Sequence, residues 1–212
     1  MATIVLAHGW GFDHHVWNAV RERLAPSHRV ECIDFGFFGA VPLLPTFPEP
    51  VIAVGHSLGA CWWLTQATFP WRRLLSINGF PRFTEAADYV PAVAPRVLAR
   101  MRKQFAQTPA AVLAEFRSFC GASPAPAEFD AAGLAAGLDW LAAWDGRKRL
   151  AERAADIFAL ASRNDPIVPA GMSQAAFAVL GDRLAFGDVA GHVLPLAAPD
   201  FCAEWIERIA AQ

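Results

Sequence analysis

Short apolar runs alternate with amphipathic stretches along most of the chain. The runs at 3–7, 29–35, 51–56, 74–79, 157–162 and 184–189 are bounded by glycine, proline or polar residues, which is typical of buried strands. Between them, apolar side chains recur three and four positions apart at 16–24, 58–69, 169–180 and 201–209, which predicts helices. This alternation predicts an α/β fold, with a mostly parallel sheet of about six strands and helices on both faces.

The pattern changes between positions 82 and 156, where no convincing strand pattern remains and helix-like segments occur at 96–105, 110–120 and 131–144. We therefore expect residues 1–81 and 157–212 to form the α/β core and residues 82–156 to form a helical lid insertion above it. Between Phe35 and Pro50, four prolines exclude a long helix and predict a compact apolar connection.

The strand at 51–56 leads into the sequence Gly55-His-Ser-Leu-Gly59, which has the spacing of a nucleophile elbow. The two glycines remove side chains where a strand and a helix nearly touch, so that the Ser57 oxygen stands at the apex of a sharp turn. A helix that begins at Leu58 would also direct its first N–H toward an oxyanion formed beside Ser57. The pattern predicts a serine nucleophile.

A serine hydroxyl needs an imidazole to take its proton and a carboxylate to fix the tautomer of that imidazole. Asp165 and His192 follow the next two predicted strands, and the carboxyl ends of parallel strands share one edge of a sheet. Taken alone, Asp165 before Pro166 is also compatible with a turn, and His192 beside Gly191 with a strand end. Together with Ser57, in this order, they predict a catalytic triad.

The loop His8-Gly-Trp-Gly11 follows the first strand and supplies the expected second oxyanion donor. We expect the backbone N–H groups of Trp10 and Leu58 to form the oxyanion hole, and His8 to organise the loop. The Trp10 side chain is a candidate for the wall of the substrate pocket, although a buried core tryptophan is the alternative.

Composition narrows the classes of protein that the chain can represent. The chain has 212 residues, a net charge of −2 and 55% hydrophobic residues. It lacks the basic surface that general nucleic-acid binding requires, and no apolar run approaches the roughly 20 residues of a membrane span. The four cysteines are far apart, which predicts free thiols and no metal site. The N-terminus lacks a secretory signal pattern, so a cytoplasmic protein is expected.

Several motifs together resemble the α/β-hydrolase superfamily: His8-Gly-Trp-Gly-Phe12 with Trp17, Gly55-His-Ser-Leu-Gly59, Ser162-Arg-Asn-Asp165 and Gly191-His192. Within it, the chain is similar nearly end to end to the pimeloyl-acyl-carrier-protein methyl ester carboxylesterases of biotin synthesis. The resemblance implies a serine carboxylesterase that needs no cofactor and hydrolyses a methyl ester on a carrier-protein-bound pimeloyl chain. Ser57, Asp165 and His192 would be its triad.

The helical insertion at 82–156 is expected to lie above the strand ends, where it would cover Ser57 with an apolar inner face. Phe105 and Phe116, together with Trp10, are the candidates for gripping the acyl chain. Arginines of the family's lid hold the acidic carrier protein, but here Glu115 precedes Phe116 where an arginine is expected. A different basic patch is the candidate for carrier binding, and an ordinary solvated helix face is the alternative. The candidates for carrier binding are Arg96, Arg100, Arg102 and Lys103, and Arg117 belongs to the same run of basic residues.

Other activities remain compatible with the same residues. These are a general esterase for short or medium acyl chains, a cofactor-free lyase on the same fold, and a ligand sensor that has kept the pocket. The length of the acyl chain, the alcohol of the natural ester and the oligomeric state do not follow from the sequence.

Overall fold

The computed structural model describes residues 1–39, 42, 45–189 and 191–212. Its centre is a six-stranded, entirely parallel sheet with the strand order β2-β1-β3-β4-β5-β6, which confirms the predicted fold class. The strands are β1 (Thr3–Ala7), β2 (Arg29–Ile33), β3 (Val51–His56), β4 (Trp71–Ile77), β5 (Ile157–Ser162) and β6 (Leu184–Gly187).

Successive side chains of the central strands enter two separate cores. In β1, Ile4 and Leu6 pack on one face of the sheet, whereas Val5 and Ala7 pack on the other, and all four are fully buried. This alternation is the two-residue period of a strand, and both faces are apolar because both are covered by helices. The two faces of the sheet are therefore covered, and a site can form at the carboxyl ends of its strands.

Helices cover both faces of the sheet. The helices α1 (Asn18–Leu24), α8 (Leu194–Ala197) and α9 (Pro199–Ala210) contribute to the core on one face, and α2 (Leu58–Thr65) and α7 (Ala170–Ala176) contribute to the core on the other. Among the helices in the described ranges, none is long and apolar enough to cross a membrane.

Four helices lie between β4 and β5: α3 (Pro95–Phe105), α4 (Pro109–Phe119), α5 (Ala131–Ala143) and α6 (Arg147–Glu152). The first three match the predicted segments within one residue at each end, because Pro95, Pro109 and the capping residue Asp130 mark their starts in the sequence. The short helix α6 was not predicted. The division of the chain into a core and a lid remains a prediction.

Some predicted element boundaries were wrong. Helix α2 ends at Thr65 rather than at position 69. Pro70 disfavours helical backbone at residue 69, but it does not account for the end at Thr65. The predicted helix at 169–180 ends at Ala176, and the 3₁₀ turn Ala178–Arg183 that follows contains Gly181 at a φ of 56°. The predicted connection between Phe35 and Pro50 falls in part on positions 40, 41, 43 and 44, which lie outside the described residues.

Candidate active site

Ser57 occupies a strained turn between β3 and α2. Its φ of 55° and ψ of −120° lie in a region that side-chain-bearing residues rarely adopt, and its N–H donates to the carbonyl of Ile77 at 3.1 Å. A Cβ on Gly59 would lie 2.3 Å from the carbonyl oxygen of Ala7, and a Cβ on Gly55 would lie 2.4 Å from the nitrogen of Ala60. The tight packing therefore requires both glycines of the elbow.

Ser57, His192 and Asp165 form a buried hydrogen-bonded triad. The Ser57 hydroxyl donates to Nε2 of His192 at 2.9 Å, and Nδ1–H of His192 donates to Oδ2 of Asp165 at 2.8 Å. His192 is fully buried, and Ser57 and Asp165 are 6% and 5% exposed. Because the hydrogen bond to Asp165 keeps the proton on Nδ1 of His192, Nε2 is free to accept the serine proton.

The second oxygen of Asp165 is held by the backbone. Its Oδ1 accepts hydrogen bonds from the N–H groups of Ile167 and Val168 at 2.7 and 2.9 Å, so the carboxylate cannot rotate away from His192. The Asp-Pro sequence thus starts a turn and also presents the acid. The two interpretations of Asp165 that the sequence left open are both correct.

The loop after β1 lies against the nucleophile. A Cβ on Gly9 would lie 2.9 Å from the Cβ of Ser57. Nδ1–H of His8 donates to the carbonyl of Gly9 at 2.9 Å, and Nε2 of His8 accepts from the N–H of Phe35 at 3.0 Å. Since the two groups of a trans peptide point in opposite directions, binding of the Gly9 carbonyl also fixes the direction of the Trp10 N–H.

Neither the N–H of Trp10 nor that of Leu58 donates a hydrogen bond to any part of the chain that the structure describes. Unoccupied N–H groups beside a nucleophile are what an oxyanion hole requires. The assignment of this role to Trp10 and Leu58 stays a prediction.

Proteins of known sequence and structure resemble this chain over most of its length. No family model matches it. It is 30% identical to the pimeloyl-[acyl-carrier protein] methyl ester esterase of Legionella pneumophila (strain Corby), over 79% of this chain and 77% of the relative. It is also 30% identical to the esterase of the same name from Xanthomonas campestris pv. campestris (strain B100), over 98% of this chain and 94% of the relative.

The chain belongs to this family of α/β-hydrolase esterases. Solved structures agree at the level of the fold. An esterase from Exiguobacterium antarcticum superposes with a TM-score of 0.80 at 16% identity, covering 100% of this chain and 91% of that one. A bromoperoxidase from Bacillus anthracis superposes with a TM-score of 0.77 at 15% identity, covering 100% and 92%. The buried triad and the esterase relatives together make this protein a serine hydrolase.

The three predicted substrate-binding aromatics of the esterase form one cluster. The Trp10 ring lies edge-on to Phe105 and Phe116, with centroids 5.9 and 4.8 Å away. Trp10 is 2% exposed and donates from Nε1 to the carbonyl of Leu134 at 2.8 Å. The Trp10 indole is therefore anchored in the core against α5, whereas Phe116 is only half-buried. A role of the three rings in substrate binding stays a prediction.

The esterase has a cleft of about 420 Å³ between α3 and α4. Apolar side chains form most of its walls, and Val97 and Phe119, at its mouth, are 56% and 63% exposed. Two lining residues contact loops that carry site residues. Phe116 packs against Gly11 in the loop after β1, and Ile167 donates its N–H to Asp165 in the loop after β5. Its lining residues are Val97, Arg100, Met101, Gln104, Val112, Glu115, Phe116, Phe119 and Ile167.

The four candidate carrier-binding residues of the esterase are exposed along α3, but they do not share one environment. Arg102 forms an ion pair with Asp139 of α5. Arg96, Arg100 and Lys103 follow one another at intervals of four and three residues, which places them on one side of the helix. Arg100 alone among these three also lines the cleft.

Two polar residues beside the triad were missed by the sequence reasoning. His56 precedes the nucleophile, Asn78 follows β4, and both donate to the main-chain carbonyl of His192. The signal available for Asn78 was a polar residue followed by glycine at the end of an apolar strand. His56 carried no signal of its own, since it stands at a variable position of the elbow pattern.

Proposed function

We propose that this esterase hydrolyses the methyl ester of a pimeloyl chain carried by an acyl carrier protein. The observation that carries the proposal is the apolar cleft that Arg100 lines and that is joined to the triad through Ile167, whose N–H donates to Asp165. Two relatives at 30% identity are named for that ester. Each methylene buried in such a cleft would contribute about 0.8 kcal/mol to binding.

The chemistry follows from the positions of the triad atoms. Oγ of Ser57 attacks the ester carbonyl while Nε2 of His192 takes the hydroxyl proton, and Asp165 stabilises the imidazolium. The N–H groups of Trp10 and Leu58 would receive the oxyanion. His192 then returns its proton to the departing alkoxide, which leaves as methanol. Water, activated by the same imidazole, releases the acid and restores Ser57.

We further propose that residues 82–156 act as a lid that binds both the acyl chain and its carrier. The cleft between α3 and α4 supplies the apolar surface, Phe116 lines it, and Phe105 lies beside Trp10. Arg100 supplies positive charge in the cleft, and the exposed Arg96 and Lys103 add charge along the same side of α3, where an acidic carrier would be attracted. Arg102 would contribute less, since Asp139 already neutralises it.

The experiment compares methyl pimeloyl carrier protein with free dimethyl pimelate as substrates of the wild type, Ser57→Ala and the double variant Arg96→Glu/Lys103→Glu, whose two positions lie outside the lining of the cleft. Ser57→Ala should abolish both activities. The double variant should hydrolyse the carrier-bound ester more slowly, by about tenfold at low salt and less at high salt, because steering by charge is screened. It should retain its rate on the free diester.

Lys148→Glu in α6 is the matched control, because Lys148 is an 89% exposed cation of the same insertion away from the cleft. It should leave both rates unchanged. Equal rates of the double variant and the wild type on the carrier-bound ester would contradict carrier recognition by α3. A wild-type preference for short acyl esters over both pimeloyl substrates would instead indicate a general esterase.

A further inference from the structure

The main-chain carbonyl oxygen of His192 receives two side-chain hydrogen bonds. Nδ2 of Asn78 donates to it at 2.7 Å, and Nε2 of His56 donates to it at 2.9 Å. Both donors are buried, with exposed fractions of 1% and 0%. This oxygen belongs to the backbone of the catalytic base itself, so any shift of it also moves the imidazole.

Asn78 connects the base with the acid. Its Oδ1 accepts the N–H of Ser162 at 2.7 Å, while its Nδ2 also lies 3.1 Å from Oγ of Ser162 and 3.2 Å from the carbonyl of Gly191. Ser162 ends β5, three residues before Asp165. The side-chain amide of Asn78 therefore holds the end of β5, which leads to Asp165, and the backbone of His192 at a fixed separation.

The backbone of Asn78 is itself unusual. Its φ of 44° lies in the left-handed region, which asparagine tolerates better than most residues that carry a side chain. Its N–H donates to the carbonyl of Leu160 at 2.8 Å, so the strained turn remains joined to β5. A strained conformation persists only where its surroundings enforce it, and such positions cluster at functional sites.

His56 connects the base with the nucleophile strand. Its Nδ1 has no hydrogen-bond partner within the described ranges, so Nε2 carries the proton that is donated to His192. Burial first, and then the nearby His192, hold the pKa of His56 well below its usual value. His56 thus stays a neutral donor when His192 becomes charged during turnover.

We propose that Asn78 and His56 are positioning residues, which orient His192 between Ser57 and Asp165 by holding its main-chain carbonyl from two sides. A misplacement of about 1 Å at a reacting group can cost on the order of 10² in rate, which is why a backbone anchor matters here. The proposal rests on the esterase activity and not on the identity of the natural ester, and a p-nitrophenyl ester therefore serves to test it.

Three variants test the proposal. Asn78→Gly removes the amide and suits the left-handed backbone. His56→Leu removes the donor at similar volume, whereas His56→Gln keeps an N–H donor of similar reach. We expect kcat to fall on the order of 10²-fold in Asn78→Gly and about tenfold in His56→Leu, with KM within about twofold of the wild type. His56→Gln should recover most of the loss.

Trp63→Phe is the matched control, because the fully buried Trp63 donates from Nε1 to the carbonyl of Val54 in the same strand as His56. It should lower Tm and leave kcat unchanged. A second readout is the proton NMR signal of Nδ1–H of His192, which should shift or broaden in Asn78→Gly and His56→Leu but not in Trp63→Phe. Wild-type kcat in Asn78→Gly or His56→Leu, or equal losses in His56→Leu and His56→Gln, would overturn the proposal.

Discussion

Arg117 of α4 donates a hydrogen bond of 2.8 Å from Nη1 to the carbonyl of Gly11, and so joins the helical insertion to the loop that carries Trp10. Its Nε donates to the carbonyl of Ser123 at 2.8 Å, and its guanidinium lies 4.7 Å from the centre of the Phe12 ring. Burial lowers the pKa of Arg117 below its usual value. This arginine is therefore part of the structure around the site and not a free member of a basic surface patch.

Replacement of Arg117 should disturb the predicted oxyanion loop from outside the triad. We expect Arg117→Met to lower kcat/KM for a small ester by about tenfold, because the Gly11 carbonyl loses its donor and the loop loses its link to α4. Arg117→Lys should restore little, since an ammonium lacks the planar fork that reaches both carbonyls. Lys148→Met is the control for loss of an exposed positive charge. Wild-type kcat/KM in Arg117→Met would show that the loop is held without this contact.

Asp165→Asn should inactivate the enzyme while leaving the site almost unchanged in shape. The two N–H groups of Ile167 and Val168 would select the amide oxygen, so the NH₂ group would face Nδ1 of His192. His192 would then carry its proton on Nε2 and could not accept one from Ser57. We expect kcat to fall by roughly 10³ to 10⁴ with little change in KM, as measured by steady-state ester hydrolysis. A loss below tenfold would place the acid elsewhere.

Much of the fold was predictable because its signals are local. The apolar runs of β1, β3 and β5 are short, buried on both faces and bounded by turn residues, so each was identifiable by itself. The triad was predictable for a similar reason, since Ser57 and Asp165 follow such runs and His192 follows the last strand, β6.

The hydrogen bonds that hold the triad in place were not predictable in the same way. Asn78 and His56 act on the carbonyl of a residue 114 and 136 positions away, and no local spacing encodes a contact of that kind. The anchoring of Trp10 by Leu134, 124 positions away, also depends on how the insertion packs on the core. Tertiary packing decides such contacts, and sequence periodicity carries no information about them.

Gly9 should tolerate no side chain. A Cβ there would lie 2.9 Å from the Cβ of Ser57 and 3.0 Å from Nδ1 of His56, so either the loop or the nucleophile must shift. We expect Gly9→Ala to lower kcat on the order of 10²-fold. Gly171→Ala is the matched control, because nothing lies within 4 Å of a Cβ at that exposed position of α7. It should keep full activity and gain about 0.5 kcal/mol in the free energy of unfolding, measured by urea denaturation. Full activity in Gly9→Ala would contradict the close approach.

The buried carboxylate of Asp34 should make stability depend on pH. Burial alone would raise the pKa of Asp34, but the hydrogen bonds from the His14 imidazole and the N–H of Gly36 outweigh it and hold the pKa well below its usual value. A lowered pKa means that the carboxylate stabilises the fold above about pH 4, the unfolded value. This contribution is lost as the pH falls below that value. Asp34→Asn should therefore lower Tm at pH 7, and the difference from the wild type should shrink below pH 4. A difference independent of pH would show that the charge contributes nothing.

The cleft between α3 and α4 should set the preferred length of the acyl chain. In the wild type, kcat/KM for a series of p-nitrophenyl esters should rise about fourfold for each added methylene until the cleft is full, since each contributes about 0.8 kcal/mol. Met101 lines the cleft, and Met101→Trp would fill part of its volume of about 420 Å³. The variant should hydrolyse the acetate ester at the wild-type rate and should reach its maximum at a shorter chain. Val179→Trp is the control for an added indole, because Val179 is 55% exposed and lies outside the lining of the cleft. An unchanged chain-length profile in Met101→Trp would show that the acyl chain binds elsewhere.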